Sequence, residues 1–445
     1  MRYLLALLIF VLTTIDVFDW TLSLAPGLSA KNAILYVILL TLAARFVVRD
    51  GLRMELPKLH LWFGVLIAYA TLTWLAVGLI IKYKSYTLVS SGIDLKANLL
   101  DNALVFVLFL YGTRTLADAR FLLTCLLVAV TAANAIAIGN VAGLFDIGTT
   151  PVGSEGNLVG RVFGAFGHAN ETAALIVAIL PAYVAVAFSS SSVGRIFWAL
   201  AGAVSAALLV MSGSRGGFTA LTFATIFGSF LCRGLISWRR AAILAAILLA
   251  ATVPLMVFVS MRFGDVLTQR VTEMILNPGT SSDERMYIWR PIMDKMMASP
   301  ITVITGFGWD SYDAIGFSYA THNHYLLLWF ELGIIGLACY LMVIRELVIT
   351  GLRVAKNAPD ETRRYLIAFV YGIIALSGAI FFTLLSQPWL YIWAYIGLTM
   401  RIAVIATQTM QAKVPNEHRS APALRSSQAV TRGLPTRVVR AHVQR

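Results

Sequence analysis

The sequence predicts an all-α polytopic membrane protein, and three observations carry that prediction. Hydrophobic residues fill 59% of the 445 positions and charged residues only 13%, against roughly 45–50% apolar content in soluble domains. Apolar windows of about 20 residues, the length a helix needs to cross a bilayer's hydrocarbon core, recur along the chain. Lys and Arg gather on alternate connections between those windows, as membrane topology requires.

Twelve windows begin near residues 3, 32, 59, 99, 120, 171, 195, 217, 240, 324, 365 and 388. The first, MRYLLALLIFVLTTIDVFDW, has a basic start and a short apolar core followed by Asp16 and Asp19. That outline also fits a signal peptide, but the cleavage site near Ala30 is poor, and the segment is read as a span. Nine spans then occupy 1–260, a long connecting segment 261–323, three spans 324–410, and a basic tail 411–445. Compact connections usually run about 2–8 residues, so a segment as long as 261–323 should fold. Its stretch SSDERMYIWRPIMDKMMAS has a Ser/Asp start signal and an amphipathic pattern, which predicts a helical cap on the membrane domain. The tail is polar, contains Ser and Pro and lacks apolar periodicity, so disorder is expected there.

On one side of the predicted bundle lie 24 of the 35 Lys and Arg residues. By the positive-inside rule that side is cytoplasmic and holds both termini. Topology thus accounts for the net charge of +13, and a nucleic-acid partner is not implied. Membrane lipids are the expected partners of the basic tail. Cys125, Cys232 and Cys339 all sit in apolar runs without paired spacing, so no disulfide framework or zinc site is indicated.

The basic residues on the other side are the informative ones. In SGSRGGF, Arg215 stands just before the glycines that open the next helix. A guanidinium beside the unpaired N–H groups of a helix start suits an anion such as phosphate; the alternative is that Arg215 snorkels to lipid headgroups. Arg285 lies in DERMYIWRPIMD, where Asp283, Glu284 and Asp294 offer ordinary surface pairing as the competing reading. Arg161 shares a glycine-rich stretch with His168 and Asn170, the pattern of a loop packed tightly beside a site. Asn170 is equally suited to cap the following span.

The most specific stretch is THNHYLLLWFELGIIG, Thr321 to Gly336. A helix starting near His324 puts Glu331 on the same face, roughly 10 Å deeper. His322 then precedes the helix at the lipid–water boundary, where a histidine near neutral pH can accept or donate a proton. The competing reading has the histidines capping the helix and Glu331 bonded to a neighbouring span. Gly333 and Gly336 read as small residues that let helices pack closely. Asp310 and Asp313 of WDSYD lack a supporting carboxylate cluster in the sequence, so no metal is expected. No nucleotide-binding fingerprint occurs, and no cofactor is expected.

His322, Asn323, nine residues, Gly333, two residues and Gly336 resemble the signature of bacterial O-antigen ligases and their polymerase and protein-glycosylating relatives. SGSRGGF resembles that superfamily's first arginine turn, and RMYIW followed by GFGWDSY its second arginine segment. One departure is Trp289, which stands where the ligases' motif has Leu four residues after the arginine. The resemblance implies a GT-C-type fold and a metal-independent, inverting glycosyltransferase of the bacterial inner membrane. Its donor would be a glycan on undecaprenyl pyrophosphate and its acceptor a lipid A-core hydroxyl on the periplasmic side. Carried over, Arg215 and Arg285, with Arg161 as a further candidate, would bind the pyrophosphate. His322 would orient or deprotonate the acceptor, with Asn323 and His168 around it. His324 and Glu331 are expected to set its tautomer or hold its loop.

Two alternatives stand beside the ligase. A polymerase of the same superfamily would join one lipid-linked glycan to another. A multi-span transporter or flippase would instead show broken spans in two matching halves and charges near the membrane midplane.

Overall fold

The computed structural model of the protein describes residues 1–18, 20, 22–50, 54–147, 161–235, 280–317, 319–385 and 389–419. The span expected near residue 240, the first part of the 261–323 segment and the tail beyond 419 lie outside the described residues.

The fold is mostly helical. Its helices are α1 (Arg2–Val17), α2 (Ala30–Arg45), α3 (Pro57–Ala76), α4 (Leu88–Leu95), α5 (Asp101–Gly112), α6 (Leu116–Val141) and α7 (Ala169–Phe188). They continue with α8 (Ser192–Met211), α9 (Arg215–Leu231), α10 (Thr280–Met297), α11 (Pro300–Thr305), α12 (His324–Asn357), α13 (Asp360–Ala379) and α14 (Trp389–Arg419). A two-stranded hairpin, β1 (Ser23–Ala25) and β2 (Leu28–Ser29), joins α1 to α2.

Among the described residues, seven helices are long and apolar enough to cross a membrane: Ala30–Val48, Pro57–Ile81, α6, α7, α8, α12 and Trp389–Ala412. At 16 and 17 residues, α1 and α9 fall short of that length. Burial sorts the spans: 78% of the apolar window is buried in α7 and in α14, against 17% in α2 and α3. The first pair forms the centre of the bundle, α7 packing on α8 and α13 and α14 on α5, α6 and α12. The second pair presents its apolar side chains outward, as helices against lipid do.

Helix starts follow local chemistry. Thr115 and Asp118 form a reciprocal capping box at α6, and the hydroxyls of Ser191 and Ser214 cap α8 and α9. Asn323 caps α12, its Oδ1 accepting from Leu326 N–H at 3.0 Å. Each cap satisfies an N–H group that a helix start leaves without an intrahelical partner.

The break in α12 sets the rest of the site. Gly333 has φ 62° and ψ −171°, so the helix stops there and restarts. The carbonyls freed by the break, of Phe330 and Glu331, accept from the N–H groups of Phe307 and Gly308 at 2.9 and 2.7 Å. Tyr69, Tyr83 and Tyr86 donate to the carbonyls of Thr305, Phe307 and Trp309 from the other side. The connecting segment 305–309 is thereby clamped between α3 with its extension and α12. A Cβ on Gly333 would lie 2.1 Å from Ile304 O. Gly333 is therefore required by backbone approach and left-handed geometry, and the helix–helix packing role expected for it is replaced by docking of this segment. Gly336 likewise meets Leu332 of its own helix.

Candidate active site

Arg215 is the first residue of α9. The Ser214 hydroxyl accepts from Gly217 N–H at 3.2 Å and sets the turn. A Cβ on Gly216 would lie 2.5 Å from Phe382 Cβ, so this glycine lets Phe382 rest on the start of α9. Arg285, on α10, places its guanidinium over the same Phe382 ring at 5.0 Å. Phe381 meets Trp289 edge-on at 5.7 Å, and Ile380 O accepts from His324 N–H at 2.9 Å. The three residues Ile380 to Phe382 thus join the helices that carry Arg215, Arg285 and His322. No sequence reading singled them out; two adjacent phenylalanines at the end of an apolar run look like more of the span.

A small apolar core holds α10 on α12, with Ile292 and Met296 packed on Tyr312, Leu326 and Phe330. Trp289 Nε1 donates to Thr321 O at 2.8 Å. Thr321 and Asn323 are buried and bonded to one another through the Thr321 hydroxyl. Between them His322 takes a left-handed φ of 49°, a conformation that costs a non-glycine residue about 1–3 kcal/mol. The buried neighbours hold that conformation and turn the imidazole outward.

Arg161 is fixed by two bonds, from Nε to Ser212 O at 2.8 Å and from Nη2 to Asn170 Oδ1 at 2.5 Å. It therefore lies against the turn that leads into Arg215. Asn170, a candidate cap for α7, serves Arg161 instead, and the cap is His168, whose Nδ1 accepts from Asn170 N–H at 3.5 Å. A histidine ring reaches back over the first turn because Phe163 stacks on it at 5.2 Å.

Electrostatics link these groups. Burial, and then the charges of Arg285 and Arg161, hold the His322 imidazole below its ordinary value of 6.5. His168 is lowered by burial, then by Arg161 and His322. Arg285 is lowered by burial and then by Arg215. Arg161, Arg285, His168 and His322 thus lie close enough to act on one another, Arg215 acts on Arg285, and both imidazoles are held toward the neutral form.

His324 and Glu331 turn elsewhere. The His324 ring packs against Tyr340 and Trp389 at 5.3 and 5.5 Å, and the Asp310 backbone N–H points to the Glu331 carboxylate. Both residues line a cavity of about 310 Å³ that also touches Thr321. The same cavity is lined by Asp94, Asp310 and Asp313, so the carboxylates absent around WDSYD in the sequence arrive from α4 and α12. Trp309 Nε1 donates to Asp94 Oδ2 at 3.1 Å. Burial, then Asp313, raises the Asp310 carboxyl above the usual range, with Ser91 opposing. Among the described residues, no group of His, Cys, Asp and Glu is arranged to hold a metal ion.

Fold and site together define a helical integral membrane protein with a cluster of arginines near an exposed histidine at one end of its bundle. Residues 200–341, under half of the chain, match a family model described as O-antigen ligase, and they form a domain of the O-antigen ligase superfamily. That domain contains Arg215, Arg285, His322, Asn323, His324 and Glu331, while Arg161 and His168 precede it. No curated protein matches the chain.

Proposed function

We propose that the protein is an O-antigen ligase: a GT-C-type, inverting glycosyltransferase with twelve spans in the bacterial inner membrane. Both termini are cytoplasmic, and the site opens to the periplasm beneath a helical cap formed by 261–323. The donor is a glycan on undecaprenyl pyrophosphate and the acceptor a lipid A-core hydroxyl. The observation that carries this reading is that Arg161 and Arg285 both act on His322, with Arg215 joined to Arg285 through Phe382, from four separate stretches of the chain.

The chemistry follows from that arrangement. Neutral His322 accepts the proton of the acceptor hydroxyl as its oxygen attacks the anomeric carbon. The bond from that carbon to the pyrophosphate breaks, and undecaprenyl pyrophosphate leaves. Charge developing on the leaving oxygens is met by guanidinium forks and the N-terminus of α9, which perform the task that a divalent cation performs in other enzymes. Attack opposite the leaving group inverts the anomeric centre.

Purified protein, given lipid-linked glycan and rough lipopolysaccharide, should form glycosylated lipopolysaccharide, and His322→Ala and Arg215→Ala should each abolish the product. Full transfer by both variants would overturn the catalytic assignment. Product on lipid-linked repeat units but not on rough lipopolysaccharide would make the protein a polymerase.

A further inference from the structure

The carboxylate-lined cavity beside the His322 turn is separate from the arginine pocket and opposite to it in charge. Its acidic lining consists of Asp94, Glu171, Asp310, Asp313 and Glu331. Its walls include the indoles of Trp309, Trp389 and Trp393 and the phenol rings of Tyr312 and Tyr340. These features select a ligand chemistry. Carboxylates accept hydrogen bonds, so the occupant must be rich in donors. An anion would be repelled, and a polyprenyl chain would leave those buried acceptors unmet at high cost. Aromatic faces stack on the apolar faces of a ring that carries hydroxyls at its edge. At about 310 Å³ the space falls at the small end of ligand pockets, which span roughly 300–1,000 Å³.

We propose that this cavity binds a non-anionic sugar, neutral or amine-bearing, through Asp94, Asp310 and Glu331 and the tryptophan walls. That the sugar is the end of the glycan acceptor rests on the glycosyltransferase reading; the binding itself does not. Thr321 borders the cavity and is the neighbour of His322, so a sugar held there has its hydroxyls within one residue's reach of the imidazole. The acidic lining then acts as a specificity filter, passing uncharged and cationic sugars and refusing uronic acids and sugar phosphates. Pyrophosphate, on the same logic, is confined to the arginine side.

The test uses the full-length protein in nanodiscs and follows its tryptophan fluorescence during titration with methyl glucoside, glucosamine and glucuronic acid. The first two should bind saturably in the millimolar range and glucuronic acid should not. Asp94→Asn and Asp310→Asn should each weaken binding by about tenfold or more, while Asp360→Asn, at the far end of the bundle, leaves it unchanged. In transfer assays Asp94→Asn should raise the acceptor KM and leave the donor KM alone. No saturable sugar binding, equal binding of glucuronic acid, or quenching by a polyprenyl phosphate instead would overturn the proposal. If sugar binds but no transfer occurs with any acceptor, the glycosyltransferase reading fails and the binding site stands. If transfer by Asp94→Asn and Asp310→Asn is unchanged from the parent protein, the sugar held in the cavity is not the acceptor and that assignment fails.

Discussion

On one flank of the His322 turn stand Arg161, Arg215 and Arg285; on the other stand Asp94, Asp310, Asp313 and Glu331. Burial and a like-charged neighbour push Arg285 downward on one flank and Asp310 upward on the other. At the opposite end of the bundle charges are sorted differently. Arg120 pairs with Glu361 at 2.6 Å, Arg2 with Asp118 at 3.1 Å, and Arg401 with Glu55. Matched pairs stabilise a fold modestly and need nothing further. Like charges gathered on one wall are expensive until a ligand of opposite character arrives, which is why such arrangements mark functional sites. On the readings proposed above, one flank would serve an anion and the other a donor-rich sugar, with His322 between them.

The most severe way to break this comparison is to remove the group shared by both flanks. His322→Ala should lower transfer by about 10²- to 10⁴-fold, the range for loss of a proton-transfer group, with thermal stability close to the parent protein. Loss of activity together with loss of folded protein would assign His322 a structural role instead.

The joint that holds both flanks comes next. Gly333→Ala places a Cβ 2.1 Å from Ile304 O in a backbone with φ 62°, so the segment 305–309 must lift from α12. A destabilisation of about 1–3 kcal/mol, seen as a lower Tm in detergent, should accompany impaired transfer. An unchanged Tm would mean that the clamp contributes nothing.

A smaller effect should appear in the pH profile. The folded pKa of His322 lies below 6.5, so the neutral, proton-accepting form should persist on the acid side of that value. Activity should be flat near pH 7 and fall only as pH drops through the lowered pKa. Because Arg285 supplies the second cause of the lowering, Arg285→Gln should move this acid limb upward. A limb that stays in place in the variant would show that Arg285 does not act on His322. The smallest effect is expected from Asp360→Asn at the far end, where Asp360 is 78% exposed and its bond from Arg363 is 3.0 Å. Stability should change by no more than about 1 kcal/mol, and transfer rates should stay as they were.

Much of the helical layout was legible in the chain. Eleven of the twelve apolar windows coincide with helices among the described residues, and the start of α12 falls at His324 behind an Asn323 cap. Those are local properties, set by runs of side chains and by the residue next to a helix end. The pairing of Arg161 with Asn170, the cap at His168 and the hub at Ile380–Phe382 were not legible in that way. Nor was the acidic cavity, in which Asp94 and Asp310 meet across more than two hundred residues.

By itself the sequence determined a membrane-embedded helical protein, which of its connections are rich in arginine and lysine, and the histidine at a helix mouth. Hydropathy, charge sidedness and capping depend only on neighbouring residues and on the solvent each segment prefers. The tertiary structure alone decided that Gly333 breaks its span to dock the segment before it, that Arg161 and Arg285 come close to His322, and that His324 and Glu331 face an acidic chamber. Such placements depend on which helices become neighbours, and long-range packing chooses among many arrangements that satisfy the same local rules equally well.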